Sequence, residues 1–189
     1  MKNKIKTKMK PADYLNPEMV IEQLDIKEKD KVTDLGCGRG FFVIPVAKKV
    51  GEEGKVYAID ILKSPLEAVS SAAKLNFLNN IIIGRADIET RGDVQKIMQG
   101  ELMNVVMISN VMFSNQRRDN IIAEAGSVLK QTKELAIIDW ANSKLSIAPP
   151  AELLADPEKI VELCAKNGLT FKKDLDVGGY HWGKVFIKE

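Results

Sequence analysis

The sequence predicts an α/β protein with a largely parallel sheet, helices on both faces and an antiparallel edge. Three observations carry that expectation. Short apolar runs rich in β-branched residues alternate with segments of helical spacing through the first three quarters of the chain, the pattern of repeated βαβ units. The first run, "KVTDL", opens directly into "GCGRG", a glycine-rich turn of the kind that joins a strand to a helix where open α/β sheets bind ligands. The chain closes on "LTFKKDLDV" and "YHWGKVFIK", two strand-like runs around a Gly-Gly turn that can pair as a hairpin.

Each element has a local reason. "NPEMVIEQLDI" reads as a short helix, with Asn16 as N-cap, Pro17 at the first helical position and Met19, Val20 and Leu24 on one face. Buried strands are expected at "KVTDL", "KVYAID", "NIIIG", "NVVMISN" and "ELAIIDW". Between them, "FFVIPVAKKV", "SPLEAVSSAAKLNFL" and "RRDNIIAEAGSVLK" have helical spacing, and "RGDVQKIMQ" has a weaker version of it. Ser64 and Pro65 are expected to cap and open the second of these, and Pro45 to distort the opening turn of the first. "DPEKIVELCAKNG" carries Asp156 as cap, Pro157 at its start and Gly168 just past its end. "NSKLSIAPPAELLAD" reads as a loop.

With 189 residues, the chain is read as a basic, flexible segment over 1–15 and one domain over 16–189. No apolar run is long enough to span a membrane, and "MKNKIKTKMK" lacks the apolar core of a secretory signal, so membrane insertion is not expected and the predicted location is cytoplasmic. Cys37 and Cys164 stand apart from each other and from metal-ligand partners, which predicts free thiols and no metal. A net charge of +2 gives little reason to expect a nucleic-acid partner. Lys2, Lys4, Lys6, Lys8 and Lys10 read as a solubilising tail, with a phosphate-touching arm as the alternative.

The glycine turn narrows the ligand. A dinucleotide fingerprint would need glycine at 41, where Phe41 stands, and no Walker lysine follows. The pattern is instead Asp34-x-Gly36-x-Gly38-x-Gly40, with an acid placed to meet a cation such as an amino group. Asp60 ends the second strand, where a carboxylate can accept from ribose hydroxyls, and Asp87 lies beyond the third, where it can accept from an adenine amine. Carboxylates at successive strand ends around one glycine turn describe a ligand with an amine, a ribose and an adenine but no phosphates. S-adenosylmethionine is that ligand.

From about Asn16 onward the chain resembles class I S-adenosylmethionine-dependent methyltransferases, closest in flavour to the ubiquinone/menaquinone-biosynthesis-like group. "VTDLGCGRG" is similar to the family's glycine motif, "VYAIDI" to its ribose motif and "GRADIE" to its adenine motif. "VVMISNVMF" resembles the strand whose end faces the methyl group, and "VLKQTKELAIIDW" the unit that normally carries a Pro-Gly-Gly turn. The resemblance implies a Rossmann-like seven-stranded sheet in the order 3-2-1-4-5-7-6 with strand 7 antiparallel. It further implies that Gly36, Cys37, Gly38 and Gly40 underlie the methionine portion and that Asp34 braces the loop or receives the amino group. Asp60 would take the ribose, Ile61 an adenine face, Ala86, Asp87 and Ile88 the adenine edge, and Asn110 would offer its carbonyl near the sulfonium.

Methyl transfer is an in-line displacement that placement alone can accelerate strongly, so no dedicated base is obligatory and the catalytic residue is left unassigned. His181, the only histidine, is the candidate for proton removal; a hydrogen-bonded histidine of an edge strand is the competing reading. The N-terminal segment, the "WANSKLSIAPP" loop and the last hairpin are expected to supply acceptor contacts, with Tyr14, Met112, Phe113, Trp140, Tyr180, His181 and Trp182 as candidates; packing over the cofactor is the alternative for Tyr14, Met112 and Phe113, and core or rim packing for Trp140. Met98, Met103, Met107 and Met112 fit core filling. "SNVMF" lacks the Asn/Asp-Pro-Pro run of adenine amino-methylating enzymes, no cysteine follows a proline as cytosine C5 chemistry requires, and Asn110 replaces the aspartate typical of ribose 2′-O enzymes. A fibrillarin-like cadence lacks the basic surface for RNA, and arsenite methylation needs more cysteines. The sequence thus predicts a methyltransferase for a small-molecule acceptor, yielding S-adenosylhomocysteine, as monomer or homodimer. A non-catalytic S-adenosylmethionine-binding subunit and an RNA or protein methyltransferase are the alternatives.

Overall fold

Alternate residues of the central strands feed two separate apolar layers. In the fourth strand Val105 and Met107 pack on one side and Val106 and Ile108 on the other; in the fifth, Ala136 and Ile138 oppose Leu135 and Ile137. Such two-sided burial is what continuous β-branched runs dictate in a sheet covered by helices on both faces. The computed structural model describes residues 14–189. The predicted lysine tail, Lys2 to Lys10, lies outside the described residues.

In chain order the elements are α1 (Pro17–Ile21), β1 (Lys31–Leu35), α2 (Val43–Val50), β2 (Lys55–Asp60), α3 (Lys63–Leu75), β3 (Ile81–Arg85), α4 (Asp93–Met98), β4 (Met103–Ser109), α5 (Arg118–Val128), β5 (Leu129–Trp140), α6 (Pro157–Lys166), β6 (Leu169–Asp174) and β7 (His181–Lys188). The seven strands form one sheet in the order β3-β2-β1-β4-β5-β7-β6. β7 runs antiparallel to both β5 and β6, and the other neighbours are parallel. Helices α1, α2 and α3 contribute to the layer on one face, and α4, α5 and α6 to the layer on the other. No helix among the described residues is long and apolar enough to cross a membrane.

Local signals held where capping chemistry is explicit. Asn16 accepts from the Met19 amide at 3.0 Å, and Asp156 accepts from the Glu158 amide at 3.0 Å, each just ahead of a proline. On α1, however, Ile21 rather than Met19 joins Val20 and Leu24 in the core. Ser64 does not cap α3: the helix begins at Lys63, with Leu62 at the cap and no side-chain hydrogen bond there. Helix α2 starts at Val43, two residues later than its spacing suggests, which places Pro45 in the first turn, where a helix has no use for the missing amide.

"QTKE" stands where the resembled family carries a Pro-Gly-Gly turn, and the chain makes this connection differently. β5 starts at once after α5, and between its pairings with Met103 and Val105 it advances from Leu129 to Glu134, five residues against two on β4. The surplus forms a bulge in which Thr132 takes φ 60°, and this bulge does the work of the turn. The final hairpin also differs from a tight Gly-Gly turn, since six residues, 175–180, separate β6 from β7. β7 lies between β5 and β6, so His181 does not belong to an edge strand.

Candidate cofactor and acceptor site

The turn after β1 is pinned from β2. The amides of Gly36 and Cys37 both donate to the Ile59 carbonyl, at 2.8 and 2.9 Å, and the Gly38 amide donates to Asp60 Oδ2 at 3.0 Å. Asp60 Oδ1 accepts from the Leu62 amide at 2.9 Å, so one carboxylate links the glycine turn to the start of α3. The three glycines serve different needs. All have positive φ, but a Cβ on Gly36 would lie 2.5 Å from Val111 Cγ2 and one on Gly40 would lie 3.1 Å from Val69 Cγ2, whereas one on Gly38 would meet nothing within 4 Å. Protein packing therefore demands the outer pair, and the middle one leaves its backbone open to a ligand.

Two cavities meet at this turn, sharing Gly36, Gly38 and Asn110. The first, of about 400 Å³, is bounded by Asp60, Ile61, Asp87 and Ile88, with Leu62 and Pro65 from the start of α3. Asp87 folds into its own turn, accepting from the Glu89 amide and the Thr90 hydroxyl, each at 2.9 Å, and each oxygen keeps a further lone pair for a donor. Ala86 lies in the apolar core rather than in the cavity wall. The second cavity, of about 410 Å³, reaches from Asp34 and Cys37 past Ser109 to Trp140, Tyr180 and His181. Tyr14, Phe41, Leu145 and Ile147 complete its mouth.

Asp34 is the chemically exposed point of this arrangement. Its carboxyl is fully buried, Oδ1 has no hydrogen-bond partner among the described residues, and burial followed by the Asp60 charge pushes its pKa up to about 7. A buried carboxyl oxygen without a donor is costly unless a cation or donor arrives. Asn110 carries a second unsatisfied oxygen, Oδ1, on a residue held at φ 54°, while its amide donates to the Ile138 carbonyl at 2.9 Å. Cys37 is buried, and burial pushes its thiol pKa upward, so it has no thiolate character.

His181 and Trp140 are register partners on β7 and β5, and their rings stack with centroids 4.2 Å apart at 33°. Both imidazole nitrogens are buried and unpartnered among the described residues, which corrects the expectation of a hydrogen-bonded histidine. Burial lowers the His181 pKa to about 4, so the ring is neutral near pH 7. Of the other predicted acceptor contacts, Tyr14 and Tyr180 come together with centroids 5.9 Å apart. Met112 and Phe113 line neither cavity; the chain after β4 turns inward, and Met112 is fully buried in the layer that holds Met98 and Met103, while Met107 fills the layer on the other face. Trp182 packs against the core cluster on the α4–α6 side and also stays outside both cavities.

That inward turn has a cause in Asp139, a residue the sequence reading passed over. Its buried carboxylate accepts from the amides of Met112 at 2.7 Å, Phe113 at 3.2 Å and Trp140 at 2.7 Å, fixing the segment that follows Asn110. Burial raises its pKa to about 6 against these hydrogen bonds and the Arg118 charge. An acid inside the apolar run "LAIIDW" was the available signal, since a buried charge requires donors. Arg39 was also missed, whereas Leu145 and Ile147 lie in the "WANSKLSIAPP" loop that the sequence offered for acceptor contacts, and that loop does reach the cavity.

Residues 26–185 match the family described as methyltransferase domain. The chain belongs to that family. A probable cobalt-precorrin-6B C(15)-methyltransferase (decarboxylating) from Saccharolobus solfataricus is 36% identical over 123 residues, covering 65% of this chain and 51% of its own. A 23S rRNA (uracil(1939)-C(5))-methyltransferase, RlmD, from Legionella pneumophila is 26% identical over 92% of this chain but 32% of its own length. The methyltransferase domain described here thus spans about half or less of the curated relatives it matches. A solved SAM-dependent methyltransferase from Aquifex aeolicus shares the fold with a TM-score of 0.81 at 23% identity, covering 95% of this chain and 94% of that one.

Proposed function

We propose that this methyltransferase domain binds S-adenosylmethionine across the glycine turn and methylates a small-molecule acceptor held in the Trp140 cavity. The observation that carries the reading is the buried Asp34 carboxyl, its Oδ1 unpartnered among the described residues, in the Trp140 cavity next to the Gly36–Gly38 turn that both cavities share. These residues fit the cofactor. Asp34 would receive its ammonium, Asp60 its ribose hydroxyls and Asp87 with Ile88 its adenine edge, with Ile61 against the ring. Bound there, S-adenosylmethionine supplies an electrophilic methyl group on a positively charged sulfur.

The chain's own residues then position and desolvate. An ammonium beside Asp34 returns that carboxyl to its ionised form, since an opposite charge offsets burial. Asn110 lines both cavities and sets the border between cofactor and acceptor. Asp139 acts at one remove, as a positioning residue for the segment after Asn110. Trp140 holds the neutral imidazole of His181 in the acceptor cavity, where it can exchange a hydrogen bond with an acceptor's hydroxyl or amine. A dry cavity favours transfer to an anionic nucleophile, because separated charge disappears in the step.

Calorimetric titration with S-adenosylmethionine and S-adenosylhomocysteine tests this, with Asp34→Asn alongside. Micromolar binding to the wild type, weakened in the variant, is expected; no binding by folded, ligand-free wild type contradicts it. A second reading, an RNA acceptor, is favoured by the match to the rRNA methyltransferase over most of this chain and by the lysines at 2–10. Under that reading, deletion of residues 1–10 lowers RNA retention at low salt; unchanged retention removes it.

A further inference from the structure

The acceptor cavity has a chemical bias that the fold does not require. Its walls are aromatic and aliphatic: Phe41, Trp140, Tyr14 and Tyr180 supply rings, and Leu145 and Ile147 close the mouth from the loop after β5. Several of these stay open to solvent, with Ile147 78% and Phe41 53% exposed. Exposed apolar side chains gathered around one concavity mark a surface that a ligand covers. The tilted Trp140–His181 stack leaves a rigid, flat wall rather than a flexible one.

Among the described residues of this lining, Asp34 and Arg39 are the two that can carry charge near pH 7, because His181 is neutral. Asp34 is committed to the cofactor's ammonium in the reading above, on which this inference rests. Arg39 sits between Gly38 and Gly40, exposed, and forms no ion pair or hydrogen bond among the described residues. A guanidinium with free donors at the rim of an apolar cavity is matched to a planar oxyanion, which it can grip with two parallel hydrogen bonds. The sulfonium adds positive charge to the same space, so an anionic guest is favoured twice over.

We propose that the acceptor is a compact aromatic molecule bearing a carboxylate, its ring lying against Trp140 and Phe41 and its carboxylate on Arg39. The arginine is then a specificity residue: it selects and orients, while transfer follows from alignment with the sulfonium. The same guanidinium could instead serve the carboxylate of the cofactor's own methionine portion. The two sources share one chemistry, and a matched set of probes separates them.

The test is calorimetric titration of protein saturated with S-adenosylhomocysteine, using 2-naphthoate, 2-naphthol and 2-naphthylmethylamine at neutral pH, where the three are anionic, neutral and cationic. Wild-type protein is expected to bind naphthoate at least tenfold more tightly than naphthol, and the amine most weakly. Arg39→Gln should bring naphthoate to the level of naphthol, and Arg39→Lys should restore part of the difference, because charge returns without the planar fork. Equal binding of naphthoate and naphthol by the wild type overturns the proposal, as does binding of none of the three. An Arg39→Gln variant that loses affinity for S-adenosylhomocysteine while keeping its preference for naphthoate also overturns it, assigning the arginine to the cofactor. Failure of the wild type to bind S-adenosylhomocysteine at all is a different result, which removes the cofactor reading beneath it.

Discussion

On one side of the glycine turn, the cavity at Asp60 and Asp87 is walled by residues from successive strand ends and has carboxylates already tied to backbone amides. On the other side, the cavity at Trp140 draws on residues from Tyr14 to His181, and its polar atoms at Asp34 and His181 are left without partners. The first is preorganised by local chain geometry. The second is assembled by long-range packing and keeps unsatisfied groups for whatever enters. A change on the first side should therefore act on folding and cofactor together, whereas a change on the second can alter acceptor choice alone.

Gly36→Val breaks this division most strongly. The new side chain would meet Val111 Cγ2 in a residue held at φ 76°, so a stability loss of about 3 kcal/mol or more is expected in denaturant unfolding. Gly38→Ala, with nothing within 4 Å of its Cβ, should unfold about 1 kcal/mol more easily and yet lose S-adenosylhomocysteine affinity. Equal destabilisation by the two would erase the distinction drawn between packing glycine and ligand glycine.

Asp139→Ala is expected to cost about 2–4 kcal/mol, because it strips the buried Met112 amide and its neighbours of their acceptor. Its effect should spread to both cavities through Asn110, and differential scanning calorimetry with and without S-adenosylhomocysteine checks that.

Asp34→Asn should weaken S-adenosylhomocysteine binding by roughly 30- to 100-fold, about 2–3 kcal/mol, while stabilising the ligand-free protein. The pH dependence fixes the sign. With its pKa raised to about 7, the folded Asp34 holds a proton that the unfolded chain has already released, so its contribution to stability falls as pH rises from the ordinary carboxylate range to about 7. The advantage of Asn over Asp in ligand-free protein should accordingly grow across that window, to about 2–4 kcal/mol. A constant difference from pH 4 to 8 would refute the buried, unpaired assignment.

Ile147→Ala sharpens the comparison from the other end. With 78% of Ile147 exposed, unfolding free energy should stay within about 0.5 kcal/mol and cofactor affinity should not move, while 2-naphthoate affinity falls a few-fold. A shift in cofactor affinity would show that the two cavities are not separable.

The sequence made the first cavity legible and the second only in part, for the same reason that they differ physically. Asp60, Asp87 and the glycines each mark a strand end, and βαβ topology brings consecutive strand ends together without further information; Asp34, legible by the same logic, is the part of the second cavity that the sequence disclosed. The sheet order, including the reversed β7, followed from the resemblance and is the order observed. Met112, by contrast, read both as an acceptor contact, because it follows β4, and as core filling; the core reading holds, and its amide is tied to the buried carboxylate of Asp139, distant in sequence. Arg39 went unmarked because one arginine among glycines carries no periodic signal, whereas the loop bearing Leu145 and Ile147 was legible as an acceptor element, without the individual residues that packing selects. The β5 bulge at Thr132 likewise depends on pairing with β4, which no local pattern announces.

A crystal structure of the protein with S-adenosylhomocysteine would locate the ligand relative to the glycine turn and Asp34. Density is expected across Gly38, with the ammonium within hydrogen-bond distance of Asp34 Oδ1, the ribose on Asp60 and the sulfur facing the Trp140 cavity. Density confined to the Trp140 cavity, or an ammonium that leaves Asp34 unpartnered, would contradict that placement.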